Sequence, residues 1–596
     1  MRTLYHETMK NVKMDVFKPK GKVTNTLRIP PRPVIVYAMV RTTKKYPANP
    51  LALVRRRLVI VLCGLLLVML VIAGRLVQLS LGEMGSDPYV PEAVPKRADI
   101  VDREGRLLAT DLMTYSVYAN PSRLKNPEET AKALCRVFSA QECALIRNQL
   151  NSKKHFVWIA RYLTPKQFYA INYLGLPGIE SFYEPRRIYP KARLAAHLIG
   201  YTDIDRRGLS GIERAFDKNL VDRTTPLVLS VDSRIQDLSM RALKEAIEKH
   251  KAVAGMVVVA SVKTGDVLAL GSYPDFDLNA VQQATEDQKL NRPVTGVYEM
   301  GSTMKSFSIA TALDVGAITM TDTFPVGEPV KIGRFTIRDF KPKKGNMTAT
   351  EVMIHSSNIG TAHIISHVRG EDQQRFLKNF GLLDPAKVPF DEIGKPMLPE
   401  NWSEVYRTTV AFGHGLSISA MQVIQGFSAL VNNGMMVPLH FEKTVGPVTG
   451  VPVIKPETSA MMRTILRAVV ASGTGGKSDV PGYEVGGKTG TAEKITGRGY
   501  SRNKRIASFI AAYPMSDPQV VIYAMVDEPV PTKDTYGYAT GGWVAAPVVA
   551  KIVEQASPLL GIIPKPVIEP SESLPSDINT NPVADDDAVS LSPDEQ

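Results

Sequence analysis

Cysteine is almost missing from this chain: there are three in 596 residues, at positions 63, 135 and 143. That scarcity excludes a disulfide-dense scaffold. With only nine histidines and no CxxC or His-rich spacing, the usual sequence signs of a bound metal are missing as well. His197, His355 and His414 stand apart from one another, so each is expected to support its surroundings rather than to act as a ligand. No self-similarity at a period of roughly 20 to 50 residues is present, which excludes a solenoid.

Acidic residues are scarce where basic ones are dense. Residues 1–57 hold fourteen Lys/Arg against two acids, and this leader, with Pro30-Pro31-Arg32-Pro33 and little periodicity, is expected to be disordered. The formal charge of +13 is therefore local: the segment from Pro564 onward carries −7, which leaves +8 for everything between. Such a mildly basic body suits an anionic polymer, a headgroup surface or plain solvation equally. Charge is absent altogether from Leu58 to Gly74, LVIVLCGLLLVMLVIAG, which directly follows Arg55-Arg56-Arg57. These seventeen residues are at the short end for a membrane span, but Leu76, Val77, Leu79 and Leu81 prolong the apolar surface while Arg75 can snorkel. The leader is too long for a cleaved signal peptide, so residues 58–81 are expected to form an uncleaved anchor. The basic flank places the N-terminus in the cytoplasm and the body outside, which separates the basic leader from the body and argues against nucleic acid as a partner.

Between residues 82 and 225 no nucleophile–base set emerges. The region opens with Arg97-Ala98-Asp99-Ile100-Val101-Asp102-Arg103-Glu104-Gly105, where Glu104-Gly105 marks a tight turn between two short strands. The pairs Asp102/Arg103 and Glu213/Arg214 are expected to brace a pedestal. Cys135 and Cys143 leave two alternatives open, a disulfide or a pair of buried thiols. From Pro226 the pattern becomes regular. Leu227–Val231 reads as a strand, and Asp232 can cap a helix carrying Ile235, Leu238, Leu243, Ala246 and Ile247 at helical spacing. Met256–Ala260 and Asp266–Leu270 read as strands around a Lys263-Thr264-Gly265 turn, and Ile506–Tyr513 and Val520–Val526 as a second pair. Strands near both ends of a helical middle predict an α+β body, a mostly antiparallel sheet flanked by helices, over residues 226–560. Residues 561–596, acidic and rich in Pro and Ser, read as a disordered tail.

One stretch organises the body: Tyr298-Glu299-Met300-Gly301-Ser302-Thr303-Met304-Lys305-Ser306-Phe307. A serine followed three residues later by a lysine at a helix start places both on one face. The lysine can take the hydroxyl proton once burial or a nearby cation disfavours its own charge. The helix start adds N–H groups suited to a developing oxyanion. On the order of two Ser-x-x-Lys matches arise by chance in a chain of this length. Ser501 to Lys504 is one, in a polar stretch that reads as a solvated loop.

Two partners distinguish Ser302. In Ser356-Ser357-Asn358 a hydroxyl and an amide one residue apart can enter one cleft, Ser356 to relay a proton and Asn358 to hold a carbonyl or the lysine. In Gly486-Gly487-Lys488-Thr489-Gly490-Thr491-Ala492, small residues permit close approach of a peptide strand. Lys488 there supplies a cation, and Thr489 and Thr491 supply hydroxyls for a carboxylate. The Lys-Thr-Gly at 263–265 is accounted for by its hairpin turn.

The ordered trio Ser-x-x-Lys, Ser-x-Asn and Lys-Thr-Gly resembles the signature of penicillin-binding proteins and class A β-lactamases. From the leader to about residue 560 the chain resembles a class B penicillin-binding protein, and its motifs around Ser302 and Ser356 resemble the septal, cell-division (FtsI) type. Met300 and Ser306 stand where that family usually has proline, and Ala98 and Ala192 where it usually has glycine. The resemblance implies a pedestal domain and a β-lactamase-like transpeptidase domain behind a single inner-membrane anchor, with the catalytic domain periplasmic. It implies D,D-transpeptidation of peptidoglycan stem peptides through an acyl-enzyme on Ser302. Lys305 would be the base, Ser356 and Asn358 would assist, and Lys488, Thr489, Gly490 and Thr491 would bind substrate. It also implies acylation by β-lactams, no metal or organic cofactor, and a SEDS glycosyltransferase and other division-complex membrane proteins as partners. A D,D-carboxypeptidase or β-lactamase-like hydrolase, or a non-catalytic scaffold, would present much the same residues.

Overall fold

The computed structural model of the chain describes residues 50–82, 96–221, 223–333, 335–496 and 499–566. It divides into two units, Met1–Glu92 and Ala93–Gln596. Most of the basic leader and most of the acidic tail lie outside the described residues.

The first unit contributes one helix, α1 (Pro50–Gly82). Its stretch Val54–Gln78 is long and apolar enough to cross a membrane. At 1.5 Å per residue its 25 residues span about 37 Å, against a hydrocarbon core of about 30 Å. The helix begins before the expected anchor, so Arg55–Arg57 lie within its first turns.

In the second unit the pedestal is a sheet of β1 (Ile100–Val101), β2 (Leu107–Ala119), β3 (Val157–Leu163), β4 (Ile179–Ile188) and β5 (Leu227–Val228). Gly105, at φ +78°, makes the turn expected between β1 and β2. β5 is a correction. The strand expected over Leu227–Val231 is only two residues long and pairs in parallel with β1, Ile100 opposite Leu227. Leu229 donates its N–H to the Val101 carbonyl at 2.9 Å and forms an isolated bridge to Glu442. Two short helices, α2 (Pro127–Leu134) and α3 (Ala140–Leu150), are joined by a disulfide between Cys135 and Cys143, which decides between the two alternatives.

The expected bracing is present, but the partners are distant in sequence rather than adjacent. Glu213, fully buried, takes Arg97 Nε at 2.6 Å and Arg187 Nε at 2.7 Å, while Arg187 Nη1 and Arg206 Nη2 reach the buried Asp111 at 3.2 and 2.5 Å. Neighbouring Arg214 instead meets Asp391. Asp102 accepts the Ser233 hydroxyl at 2.6 Å and its N–H at 3.1 Å, while Arg103 reaches Asp266. Burial opposes ionisation of Asp102, but the hydrogen bonds from Ser233, Arg106 and Glu104 outweigh it and hold the carboxyl below its ordinary range.

The larger sheet is antiparallel throughout, in the order β8 (Gly486–Thr496), β9 (Gly499–Tyr513), β10 (Val520–Asp527), β6 (Ala254–Ser261), β7 (Val267–Tyr273). Both expected hairpins are present, and they meet where β10 pairs with β6, Tyr523 opposite Val258. Side chains alternate between faces. Val520, Ile522, Ala524 and Val526 join a core with Ile235, Leu243 and Ile247 of α4 (Ser233–Lys249), which Asp232 caps through the Arg234 N–H. Val521, Tyr523 and Met525 join the opposite core with Phe307, Ile424 and Phe427. Burial on both faces is why these strands read as continuous apolar runs. The decoy Ser501–Lys504 belongs to β9, with Ser501 opposite Lys494, and is not a loop. Only Ser501 has a partner in β8; the register shifts between Glu493, opposite Arg505, and Lys494, which leaves 502–504 as a bulge without the alternation that a sequence reading of strands depends on.

Candidate active site

Ser302 lies on a single 3-10 turn, Gly301–Thr303, that runs straight into α5 (Met304–Asp314). The turn demands glycine at 301: its φ is +52°, and a Cβ there would stand 2.6 Å from the Thr491 carbonyl oxygen. Gly413 closes the other side, where a Cβ would fall 1.9 Å from the Gly301 oxygen. The turn is thus clamped between β8 and the 413 segment. Every residue of α5 is buried, so the helix carrying Lys305 is core rather than surface.

The three motifs converge. Lys305 Nζ donates to the Ser356 carbonyl and, at 3.1 Å, to Ser356 Oγ. Lys488 Nζ donates to the same Oγ at 2.8 Å, and to Thr489 O and Oγ1 at 3.3 and 3.2 Å. Both lysines are wholly buried. With Ser356 Oγ accepting from two amines, its own proton is directed to a third partner. In the resting site the Lys305 amine is engaged with Ser356, and contacts between a hydroxyl and its base commonly tighten only when substrate is bound.

Ser356 holds a left-handed backbone, φ +53°, between α6 (Ala349–Ile354) and α7 (Asn358–Ser366). Ser357 caps α7 by accepting the Gly360 N–H at 2.9 Å. Asn358 donates through Nδ2 to the Arg338 carbonyl at 3.3 Å, while its Oδ1 is buried without a partner among the described residues. A ligand N–H would satisfy that oxygen.

Lys488, Thr489, Gly490 and Thr491 lie on β8, the edge strand of its sheet. Thr489 Oγ1 is 3.1 Å from Thr474 Oγ1, and Thr491 Oγ1 accepts the Gly541 N–H at 3.1 Å. The small size of Gly490 serves the protein's own packing. A Cβ there would meet Ser508 Oγ at 2.5 Å, Met300 O at 2.6 Å and Thr303 Oγ1 at 2.8 Å. Substrate approach is thus not what requires glycine at 490.

Sequence reasoning missed Thr474, Gly413, Gly541 and Asp339, whose carboxylate accepts the Ser357 hydroxyl and the Asn358 N–H, each at 2.5 Å. Thr474 had a visible sign in the run Ser472-Gly473-Thr474-Gly475-Gly476, whereas Asp339 lies in the unpatterned polar segment 338–346. Among the histidines, His197 is buried against the Gln288 carbonyl at 2.7 Å, and burial lowers its pKa to about 4. Burial, with the Lys343 charge, also lowers that of His355. Among the described residues no group of His, Cys, Asp and Glu is placed to hold a metal ion.

Residues 255–554 match the penicillin binding protein transpeptidase domain, and residues 92–236 the penicillin-binding protein dimerisation domain. The chain is 40% identical over 481 residues to the "Probable peptidoglycan D,D-transpeptidase FtsI" of Caulobacter vibrioides, covering 78% of this chain and 82% of that one. It is 33% identical over 533 residues to the "Probable peptidoglycan D,D-transpeptidase PenA" of Neisseria gonorrhoeae, covering 83% and 90%. It is 29% identical over 498 residues to the "Peptidoglycan D,D-transpeptidase FtsI" of Escherichia coli K12, covering 78% and 84%. Two domain matches in tandem and the extent of these alignments lead to one conclusion: the chain belongs to the class B penicillin-binding proteins, in their septal branch.

Proposed function

We propose that this protein is a peptidoglycan D,D-transpeptidase that cross-links stem peptides during septal wall synthesis, through an acyl-enzyme on Ser302. The reading is carried by one observation, the meeting on Ser356 Oγ of the Lys488 amine and that of Lys305, which follows Ser302 by one helical turn. Ser302 Oγ attacks the carbonyl carbon of the penultimate D-Ala while Lys305 Nζ takes its proton. Two ammonium charges close together in a buried site cost more than one, so Lys488 favours a neutral Lys305 able to accept that proton. Backbone N–H groups of Ser302 and Thr491 receive the oxyanion. As the C–N bond breaks, Ser356 passes a proton to the departing D-Ala amine. An amine of a neighbouring stem then attacks the ester carbonyl, the new amide forms, and Ser302 recovers its proton. Asn358 Oδ1 holds a substrate N–H, and Lys488, Thr489 and Thr491 hold the terminal carboxylate. The strained amide of a β-lactam occupies the same position and acylates the same serine.

In this reading α1 is a single inner-membrane anchor with its basic end in the cytoplasm, and the second unit works in the periplasm. The pedestal occupies about residues 82–225 and the transpeptidase domain about 226–560. The division-complex membrane proteins, a SEDS glycosyltransferase among them, are its partners. Labelling by a fluorescent penicillin tests the chemistry: wild type is expected to take up covalent label, and Ser302→Ala and Lys305→Ala are expected to lose it while remaining folded. Label retained by Ser302→Ala would sink the assignment.

A further inference from the structure

We propose that exposed lysines at the mouth of the active site form a cationic rim, which holds carboxylates on the second and third residues of an acidic stem peptide. The segment Arg338-Asp339-Phe340-Lys341-Pro342-Lys343-Lys344 has four basic residues and one acid. That acid is already engaged, because the Asp339 carboxylate accepts the Ser357 hydroxyl and the N–H groups of Asn358 and Ile359. The same bonds moor the segment beside Ser356, and Ile337 ahead of it packs with Ile359, Ala362 and Phe412. The Lys343 charge is felt at His355, the residue before Ser356, whose pKa burial and that charge together lower. Arg338, Lys341, Lys343 and Lys344 are thus exposed at a fixed place on the Ser356 side of the site.

A row of rings carries the rim to the opposite wall. Lys341 Nζ lies 5.7 Å from the Tyr538 ring centre, Tyr538 stacks on Trp543 at 6.0 Å and 14°, and Lys477 Nζ lies 4.1 Å from the Trp543 ring centre. Tyr538 and Trp543 flank Gly541, whose N–H meets Thr491 Oγ1, so the row that starts beside Ser356 ends beside β8. A ring face orients an ammonium without cancelling its charge as a carboxylate would. Among the described residues no carboxylate stands within 4 Å of Arg338, Lys343, Lys344 or Lys477, so their charge is left for an incoming anion. Reach points to the occupant. In an extended stem peptide the two residues ahead of the attacked D-Ala lie about 3–7 Å from it. Lys341 is two residues, at most about 7 Å of chain, from the Asp339 that bonds the Ser356 segment. Carboxylates on the second and third stem residues therefore arrive where the lysines stand.

The inference rests on the transpeptidase reading, and its test separates the two. Binding of two fluorescent pentapeptides ending in D-Ala-D-Ala is measured by anisotropy on the full chain in detergent, with Ser302→Ala as the parent so that only noncovalent binding is read. One peptide has free carboxylates on residues two and three; the other has both amidated. The parent is expected to prefer the acidic peptide. Combining Lys341→Gln, Lys343→Gln and Lys344→Gln is expected to lower that preference about five- to ten-fold at about 0.01 M salt, and to matter little at about 1 M, where the screening length is about 3 Å. Arginine at the same three positions is expected to keep it, because the rim supplies charge. Lys477→Gln, on the opposite wall, is expected to lower it about two-fold. A preference absent from the parent, unchanged by the three glutamines or undiminished at high salt would overturn the proposal, as would an equal loss for the amidated peptide. Lysine-dependent binding of anionic phospholipid vesicles with the peptide preference unaffected would assign the rim to a membrane surface and overturn it too. The nucleophile is tested apart from the rim, by the rate constant k2 for acylation at saturating penicillin. Acylation that survives Ser302→Ala would overturn the preceding assignment and leave the rim standing.

Discussion

Adding one methyl group at Gly301 is expected to cost most of the acylation rate while leaving the fold in place. A Cβ there would meet the Thr491 carbonyl oxygen at 2.6 Å, and ordinary contact begins at 3.4 Å, so the Ser302 turn and β8 must part by about 0.8 Å. Neither neighbour yields easily: Thr491 is tied into the β8–β9 ladder, and the turn is backed by Gly413 and by a helix with no exposed residue. A misplacement of about 1 Å at a reacting group costs on the order of 100-fold, or about 2.7 kcal/mol of transition-state stabilisation. The positive φ adds about 1 kcal/mol of strain to the folded state. Gly316→Ala separates the two contributions. That glycine also has positive φ, +70°, but nothing lies within 4 Å of its Cβ position, so the alanine brings strain alone. The assay is k2 for penicillin, with the thermal midpoint measured alongside. Gly301→Ala is expected to lose about 100-fold in k2. Gly316→Ala is expected to keep its k2 and to lose only stability. A Gly301→Ala enzyme acylating within roughly three-fold of wild type would refute the clamp.

Glu213→Gln is expected to destabilise the pedestal by about 3 kcal/mol, the low end for a broken buried pair, because it removes the shared carboxylate while Arg97 keeps Asp217 and Arg187 keeps Asp111. Denaturant unfolding of the protein checks it, and a loss under about 1 kcal/mol would show that the network contributes little. His197 gives a pH dependence. Its pKa is depressed to about 4 in the fold, so the unfolded chain binds the extra proton between about pH 6.5 and 4. Stability is therefore full above about 6.5 and falls as the pH drops toward 4, and His197→Gln is expected to flatten that slope in thermal midpoints recorded across the window.

The parts of the fold legible in the sequence are those where one local pattern has one physical outcome. Val520–Val526 and Met256–Ala260 are apolar throughout because both faces of their sheet are covered, and Asp232 reads as a cap because the carboxylate needs only the N–H two residues on. Ser302, Ser356 and Lys488 were legible as types in an order, although the meeting of Lys305 and Lys488 on the Ser356 hydroxyl was not. Where partners are remote, sequence neighbours mislead: Glu213 pairs with Arg97 and Arg187 rather than Arg214. Leu227–Val231 looks like a strand of the main sheet, but its first two residues hydrogen-bond to the pedestal. Gly490 announces a close approach without saying to what, and the answer is the protein's own Met300 and Thr303. Asp339 carries no local mark because its role depends on a helix that begins nineteen residues later.

The complete burial of the helix behind Ser302 governs how this enzyme fails. Segments free to open locally are those with solvent-facing backbone and few apolar contacts, and Met304–Asp314 has neither. Ser302, on the turn that leads into it, is therefore held by an element that separates from its neighbours only when the whole transpeptidase core comes apart. On heating, the Ser302 turn is expected to come apart together with the core, with no partly melted state in which the protein stays folded and that serine has drifted away.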